Sequence, residues 1–480
     1  MIQNLDTNIF SYNMDFEVRE VHKTSLRILD EIGIFIGSNK CLELLSSIEC
    51  NVDFDSKKVK IPEPIVKKAI SSNHSAFKLY DRNAENSINI GEDNLVFTTG
   101  AASVRIKEFD GSYRSPTLAD LSKMTKIQDY FDSIDIMHTV IDPMDISQKV
   151  LRTQMAAAVL KNTTKPCSFV ASDARVVEDI YKMGVAIRGS KESLVEKPLF
   201  TIGASSEAVL GIQEKECEVL MRCTELGIPT GIDHYPVMGM TAPVSISGAL
   251  ALANANYLCG LIIEKAIDPE NPSDYPVMAG SFDMKSANVV TSSPEIWLYY
   301  LMGIKLGKFY NLPTRVLIAT DSKSSDLQMA YEKSMGYLIS ASAGVNNIFG
   351  ATCEMDAMNL ASYEQIVIDS EIISSISHFF DNPNSEASST DFDIIKESYH
   401  DKMYFLAHDH TLKNYKKVLW SSNVFIRDNF LNWKRVGMPT VIDLAHKKVK
   451  KILKDHRVPS LGSEVLRGID KIVLDAEKRK

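Results

Sequence analysis

From residue 95 onward, short apolar runs alternate with longer stretches whose apolar positions recur at helical spacing. Each run has the length of a strand that is buried on both faces, and most runs end in a small or polar residue. The pattern predicts eight strands, at residues 95–99, 134–140, 167–172, 199–204, 230–234, 277–282, 315–320 and 346–351.

Helix-start signals follow these runs. Thr117 is a predicted N-cap, Ser293-Pro294-Glu295 places proline at the first helical position, and Ser362-x-x-Gln365 has capping-box spacing. Eight strand–helix pairs in roughly 290 residues fit a closed (β/α)8 barrel. An open doubly wound sheet would produce the same local pattern, but no Gly-x-Gly-x-x-Gly follows any run.

The chain has 480 residues, which is more than one compact domain usually contains. We therefore predict an α/β protein with a (β/α)8 TIM barrel at residues 93–382. A mixed α/β cap segment is expected at residues 1–92 and a helical extension at residues 383–480. The extension would pack on the outside of the barrel or form a subunit contact.

The first strand and its helix are separated by an insertion. Residues 103–109 and 112–114 flank Asp110-Gly111, a dipeptide that favours a tight hairpin turn. This hairpin is expected to lie over the barrel mouth, as a lid or as a docking surface.

Charge and cysteine content exclude several classes of protein. The net charge is -9 with dispersed lysines and arginines, which disfavours nucleic-acid binding. The seven cysteines include no Cys-x-x-Cys pair, so neither a disulfide framework nor a zinc site is expected. No apolar run has the length of a membrane span, and no signal segment is recognisable. We expect a cytoplasmic protein without membrane partners.

Barrel enzymes place their chemistry at the carboxyl ends of the strands. His234 next to Asp233, and His408-Asp409-His410, supply metal-ligand types there, but without the spacing typical of a zinc site. Ordinary hydrogen-bonded histidines are the favoured interpretation, and no metal is expected.

Lys323 follows the seventh predicted strand. Buried in an apolar pocket, it could form a Schiff base with a carbonyl substrate. An ion pair with Asp321 or Asp326, or with a substrate carboxylate, is the favoured alternative.

Tyr235 and Phe282 end neighbouring predicted strands. Their rings could face each other and hold a quaternary ammonium by cation–π attraction. Alternatively, both rings merely fill the upper layer of the barrel.

Five stretches resemble one protein family: Leu79-Tyr-Asp-Arg82, Gly239-Met-Thr-Ala-Pro-Val-Ser-Ile-Ser-Gly248, Thr320-Asp-Ser-Lys-Ser-Ser-Asp326, Val367-Ile-Asp-Ser-Glu371 and Phe405-Leu-Ala-His-Asp-His-Thr411. The chain resembles the trimethylamine methyltransferase family, in particular its branch without pyrrolysine, which is similar to the glycine betaine type of corrinoid protein methyltransferase. The founding branch carries pyrrolysine and acts on trimethylamine, whereas every residue here is a standard one. The resemblance therefore favours a quaternary amine, with glycine betaine as the first candidate.

This resemblance implies methyl transfer to the Co(I) corrinoid (a cobalamin) of a separate partner protein. The chain itself would bind no cofactor, and a homo-oligomer is expected. A Schiff-base lyase or aldolase using Lys323, and a non-catalytic betaine-binding barrel, remain the alternatives.

The strand ends then suggest roles for individual residues. Tyr235 and Phe282 are expected to wall the pocket. The residues predicted near the cationic head are His234, Asp321 and Glu354, and the predicted donors for a substrate carboxylate are Lys323, His138 and His410.

Overall fold

The computed structural model describes residues 15–100, 103–206, 209–381, 390–400 and 404–479. The first part is mixed α/β, and a π-helical turn at Ile28–Ile32 follows its first helix. Its elements are α1 (Asp15–Arg27), β1 (Ile34–Ile36), α2 (Asn39–Ser47), β2 (Asn51–Asp53), β3 (Lys58–Lys60), α3 (Glu63–Ser71), β4 (Ala76–Tyr80) and β5 (Ser87–Gly91).

The middle of the chain alternates strands with helices, as the apolar pattern predicts. Its elements are β6 (Val96–Phe97), β7 (Arg105–Lys107), β8 (Tyr113–Arg114), α4 (Leu118–Asp129), α5 (Leu151–Lys161), β9 (Cys167–Val170), α6 (Ala174–Arg188), α7 (Lys191–Glu196), β10 (Phe200–Ser206), β11 (Gly211–Ile212), α8 (Glu214–Glu225), β12 (Ile232–His234), β13 (Val237–Met238), α9 (Ile246–Ile267), β14 (Tyr275–Val277), β15 (Gly280–Asp283), β16 (Asn288–Val290), α10 (Pro294–Phe309), β17 (Thr314–Leu317), α11 (Leu327–Ser342), β18 (Asn347–Phe349), β19 (Glu354–Met355), β20 (Leu360–Ala361) and α12 (Tyr363–Phe380).

Parallel pairings connect eight segments of this region in sequence order. Thr98 bridges to Ile136, Met137 bridges to Cys167, and β9 pairs with β10 and β10 with β12. The next step joins β13 to β15, and β14 then pairs with β17, β17 with β18, and β18 with β6. The order of pairing thus returns to its first strand. We call these segments the strand ring and its carboxyl end the rim.

The observed strands differ in their bounds from all the predicted runs, and the second and sixth runs have a structural reason for the difference. The second predicted run contains only the isolated bridges at Ile136 and Met137. The sixth was predicted to begin at Val277, whereas β14 begins at Tyr275. Pro276 lies inside β14, and a proline normally argues against a central strand, so the pattern places this strand too late.

The sequence analysis predicts no apolar run of membrane-spanning length, but helix α9 is long and apolar enough to cross a membrane. Most of it is buried inside the protein. It packs against α1, α8 and β12. Gly260 lets it approach closely, because a Cβ there would overlap the side chain of Ile232 on β12. Helix α9 is therefore a core helix in this structure.

The described residues after α12 are helical. They form α13 (Thr390–His400), α14 (Asp409–Val418), α15 (Phe430–Arg435), α16 (Val441–Asp455) and α17 (Ser463–Glu477). Helix α16 packs on α12 and α4, and α17 packs on α5 and α6.

Candidate active site at the rim

Side chains on β12 alternate between the inside of the strand ring and the surrounding helices. Asp233 faces inward, where it binds Arg315 of β17. Ile232 faces outward and contacts α9 at Gly260. The same alternation places Tyr235 on the inner side and His234 on the outer side.

An ion cluster occupies the lower part of the ring. Arg315 donates from Nε to Asp274 at 2.7 Å and from Nη2 to Asp233 at 2.7 Å. Burial alone would lower the pKa of Arg315, but the two carboxylates outweigh this effect and raise it. The guanidinium is therefore charged and pairs with both carboxyl groups.

Beside this cluster lies a cavity of about 50 Å³. Phe77, Leu79 and Ile90 of the β4–β5 hairpin line it, together with residues just before β12 and β14. This hairpin therefore closes the amino-terminal end of the ring.

His138 follows the second segment of the ring and is buried. Its Nδ1 lies 2.8 Å from the carbonyl oxygen of Gly100 and 3.0 Å from that of Thr139. Because carbonyls only accept, Nδ1 carries the proton and Nε2 the lone pair. Burial lowers the pKa of His138 to about 4, so the ring is neutral at pH 7.

Glu354 is fully buried in β19, and its side chain lies against the backbone of Gly100. A methyl group at position 100 would stand 2.6 Å from Oε1 of Glu354. Since Gly100 also accepts the hydrogen bond from His138, the backbone of Gly100 joins Glu354 to His138 at the rim.

A buried ion pair between α11 and α12 holds the turn before Glu354 in place. Cys353 adopts φ of 83°, and its N–H donates to Asp369 of α12 at 2.8 Å. The same carboxylate oxygen pairs with Lys333 of α11 at 2.7 Å, with both side chains fully buried. This buried pair therefore holds the backbone turn that positions Glu354.

Tyr235 belongs to an apolar cluster on the inner side of the ring, with Met278, Leu317, Phe349 and Met358. Its Oη is buried and has no hydrogen-bond partner among the described residues. Gly280 leaves room for this phenol, since a Cβ there would stand 3.0 Å from the oxygen.

Phe282 is half-buried on β15, where it pairs with Val289 of β16. In the described part of the chain no ring contact joins Phe282 to Tyr235. The aromatic ring that shares the Tyr235 cluster is Phe349, which also packs edge-on against His138 at 4.9 Å.

Asp321 follows β17, and its carboxylate accepts hydrogen bonds from the segment before α10. The N–H of Thr291 donates to it at 2.9 Å, and the Thr291 hydroxyl donates at 2.8 Å. Burial raises the pKa of Asp321, and the bonds from Thr291 partly offset this. Its observed contacts therefore fix the loop that leads into α10.

His234 lies outside the inner surface. Its Nδ1 is 3.2 Å from the carbonyl oxygen of Ser206, while its buried Nε2 has no partner among the described residues. Burial lowers the pKa of His234.

Lys323 is two-thirds exposed, and its Nζ pairs with Asp356 at 3.2 Å. The partner predicted from the sequence was Asp321 or Asp326, but only the backbone oxygen of Asp321 accepts from Lys323, at 2.6 Å. The apolar burial that Schiff-base chemistry requires is not observed, because this side chain projects into solvent.

His410 is not brought to the rim. It is exposed on α14, and the end of α14 contacts the carboxyl end of α12 through His378 and the carbonyl of Val418. A helix that follows a ring strand ends near the amino ends of the strands, so α14 lies away from the rim. In the described ranges no group of three histidine, cysteine or acidic side chains could hold a metal ion.

The predicted hairpin is confirmed as β7 and β8, which pair antiparallel around Asp110-Gly111. Strand β7 also pairs with β20, and Phe109 stacks on His446 of α16 at 3.8 Å. The hairpin is therefore held beside the rim by two other parts of the chain.

Sequence reasoning missed Gly100, Lys333, Phe349 and Asp369. Phe349 lies inside the eighth predicted run, and Asp369 lies inside one of the five stretches that carry the family resemblance. Gly100 directly follows the first predicted strand, where a backbone contact often requires glycine. Lys333 has no sequence signal that separates it from a surface lysine.

Comparison with known proteins identifies the family. A family model described as trimethylamine methyltransferase (MTTB) matches residues 4–479. A glycine betaine methyltransferase from Desulfitobacterium hafniense (strain Y51) is 29% identical over 451 residues, covering 94% of this chain and 93% of that protein. The trimethylamine methyltransferase MttB from Desulfitobacterium hafniense (strain DSM 10664 / DCB-2) is 27% identical over 465 residues, covering 96% and 93%. The crystal structure of the Methanosarcina barkeri monomethylamine methyltransferase (MtmB) aligns with a TM-score of 0.49 at 12% identity, covering 97% of this chain and 94% of that one. Because the family model spans nearly the whole chain, this protein belongs to the trimethylamine methyltransferase family and is a methyltransferase.

Proposed function

We propose that the strand ring is a closed (β/α)8 barrel whose rim transfers a methyl group from a quaternary amine to the Co(I) corrinoid of a separate protein. Two relatives support methyl transfer from a methylated amine, and the one named for glycine betaine supports a quaternary amine. All 480 residues are standard, so the chain lacks pyrrolysine, and a quaternary amine is the better-supported substrate.

The chemistry of the leaving group supports the same substrate class. A quaternary nitrogen already carries its full charge and leaves as a neutral amine when its methyl group is attacked. No general acid is needed, so the protein has to hold the cation, align one methyl group and exclude water.

The observation that carries the proposal is the combination of an apolar wall with a buried carboxyl group at the rim. Tyr235 and Phe349 supply aromatic rings, which attract cations by their faces. Phe349 contacts His138, His138 binds the carbonyl of Gly100, and Glu354 lies against Gly100. Glu354 is thereby within two residues of the aromatic wall and can stabilise a bound ammonium.

His138 suits this site because its low pKa keeps it uncharged. A neutral ring beside the aromatic wall does not repel a cationic substrate, whereas an imidazolium would. Among the predicted carboxylate donors, Lys323 remains the candidate at the rim, because its flexible side chain is exposed there. Phe282 and Asp321 would border the site from β15 and the β17 loop.

The corrinoid partner is proposed to dock on the rim beside the β7–β8 hairpin. Met240, Val244, Met284 and Leu327 lie on segments that follow ring strands, and each is at least 62% exposed. Exposed apolar side chains grouped around a site commonly mark a protein contact.

The test uses the purified chain, free cob(I)alamin as acceptor, and a panel of glycine betaine, proline betaine, carnitine and trimethylamine. We expect the absorption spectrum of the methyl-Co(III) product with at least one quaternary amine and none with trimethylamine. Glu354→Gln should reduce the rate at least tenfold, while Glu270→Gln, an exposed acid elsewhere, should not change it. Binding of betaines without any spectral change would instead support a non-catalytic binding protein. Borohydride trapping of a carbonyl substrate on Lys323 would support the lyase.

A further inference from the structure

The outer face of α13 is apolar and lacks a partner within the described chain. Ile394 and Ser398 point toward the protein, whereas Phe392, Ile395 and Tyr399 are 69%, 57% and 81% exposed. Their spacing of three and four residues puts the three exposed side chains on one stripe. A helix that binds in an apolar groove commonly presents such a stripe to the groove.

A groove of this kind lies on the outer surface of the protein, between α10 and α11. It encloses about 590 Å³, and almost all of its lining is apolar. Trp297, Leu298 and Leu301 form one wall, and Leu338, which is 40% exposed, belongs to the other. Phe379, near the end of α12, borders the groove and is 67% exposed.

The charges that flank the two surfaces are opposite in sign. Helix α13 carries Asp391, Asp393 and Glu397 against a single lysine. On α10 the stripe that lines the groove continues through Lys305 and Lys308, one and two turns beyond Leu301. An acidic helix laid along the groove would bring its carboxylates toward these two lysines, which favours docking in one direction.

We propose that α13 of one protomer binds in the α10–α11 groove of a second copy of this chain. A two-fold axis repeats the contact, so that each groove receives one helix and each exposed stripe is covered. Two such contacts can together approach the roughly 1,600 Å² that a stable interface buries. This inference does not depend on which amine is the substrate.

The first experiment is sedimentation equilibrium of the full chain over a wide concentration range. We expect a dimer of about twice the 53.5 kDa chain mass. Ile395→Glu and Leu338→Glu should each raise the dimer dissociation constant at least about tenfold, because either change buries a charge in the apolar contact. Leu474→Glu is the matched control, since Leu474 is 52% exposed on α17, far from both surfaces in sequence. Circular dichroism checks that each variant is folded.

The second experiment identifies the contact directly. All seven native cysteines are buried, so cysteines introduced as Ile395→Cys in one preparation and Leu338→Cys in another provide the exposed thiols. Mild oxidation of the mixture should yield a covalent dimer, and neither variant alone should do so to the same extent. A chain that stays monomeric, a dimer unaffected by both glutamate variants, or a double variant that crosslinks only within one chain would overturn the proposal.

Discussion

Glu354 lies directly against Gly100, with no space between its carboxylate and the glycine for even one methyl group. We expect Gly100→Ala to displace Glu354 from the rim and to lower the rate of methyl transfer at least tenfold. Overpacking a tight site typically costs about 1–3 kcal/mol, so the folded protein should survive in weakened form. Urea unfolding and the methyl-transfer assay measure the two effects.

Gly468→Ala serves as the control for that variant. A Cβ at position 468 meets only the Cβ of Ala186, at 3.8 Å, which is an ordinary contact. Because Gly468 lies inside α17, alanine there should be neutral or stabilising by up to about 1 kcal/mol. Equal activity losses in both variants would argue against a special role for Gly100.

The buried pair of Lys333 and Asp369 makes a second prediction. Lys333→Met removes the cation and leaves Asp369 buried without its charge partner, which typically costs about 3–5 kcal/mol. The turn at Cys353 should loosen with it, so the midpoint of urea unfolding and the methyl-transfer rate should both fall. Lys182→Met, which breaks an exposed pair with Glu178 at 3.9 Å, should change the free energy of unfolding by less than about 1 kcal/mol.

The lowered pKa of His138 predicts how the free energy of unfolding depends on pH. Its pKa is about 4 in the folded chain against an ordinary value of 6.5, so between these values the unfolded state binds more protons. Stability is therefore lost as the pH falls from about 6.5 toward 4, by up to about 3 kcal/mol from this residue. Unfolding measured at several pH values should show a flatter acid limb for His138→Asn, whose amide can still donate to Gly100.

Other groups titrate in the same range, so the difference between wild type and variant is the relevant quantity. His234 shifts stability in the same direction, whereas the raised pKa of Asp135, about 6, acts in the opposite direction. Parallel acid limbs in wild type and His138→Asn would show that His138 is not buried in its neutral form.

Two substitutions of Tyr235 distinguish a role in cation binding from a role in packing. Tyr235→Phe keeps the ring and removes an oxygen that has no hydrogen-bond partner among the described residues, so affinity and stability should change little. Tyr235→Ala removes the aromatic face and should weaken binding of the quaternary amine by roughly tenfold. Calorimetric titration of both variants with glycine betaine provides the measurement. Equal and negligible effects would exclude Tyr235 from the pocket.

The strand positions could be predicted because a strand buried on both faces is a distinctive apolar run. The same property hides which way each side chain points. In β12 both the inner and outer positions are compatible with burial, so the sequence suggests Asp233, His234 and Tyr235 together. The hydrogen bond from Arg315 to Asp233 and the contact of Ile232 with α9 show which side chains face inward, and they place His234 away from the inner surface.

The buried residues that hold the rim in place from the surrounding helices could not be predicted from the sequence. Lys333 and Asp369 lie on different helices. In the sequence of either helix alone, the charged residue is typical of a solvent-exposed position. Their burial follows from how α11 and α12 pack beside the turn at Cys353, which is a tertiary relationship. His410 shows the converse, since a His-Asp-His motif drew attention to a helix that packs elsewhere.

The β4–β5 hairpin that closes the amino-terminal end of the ring has a kinetic consequence. Because Phe77, Leu79 and Ile90 cover that end, the proposed function implies that the amine and the corrinoid protein share the rim as their route of access. A docked partner then blocks exchange of the amine, so binding should be ordered, with the amine entering first and its demethylated product leaving last. An excess of corrinoid protein would accordingly slow turnover by trapping the empty enzyme.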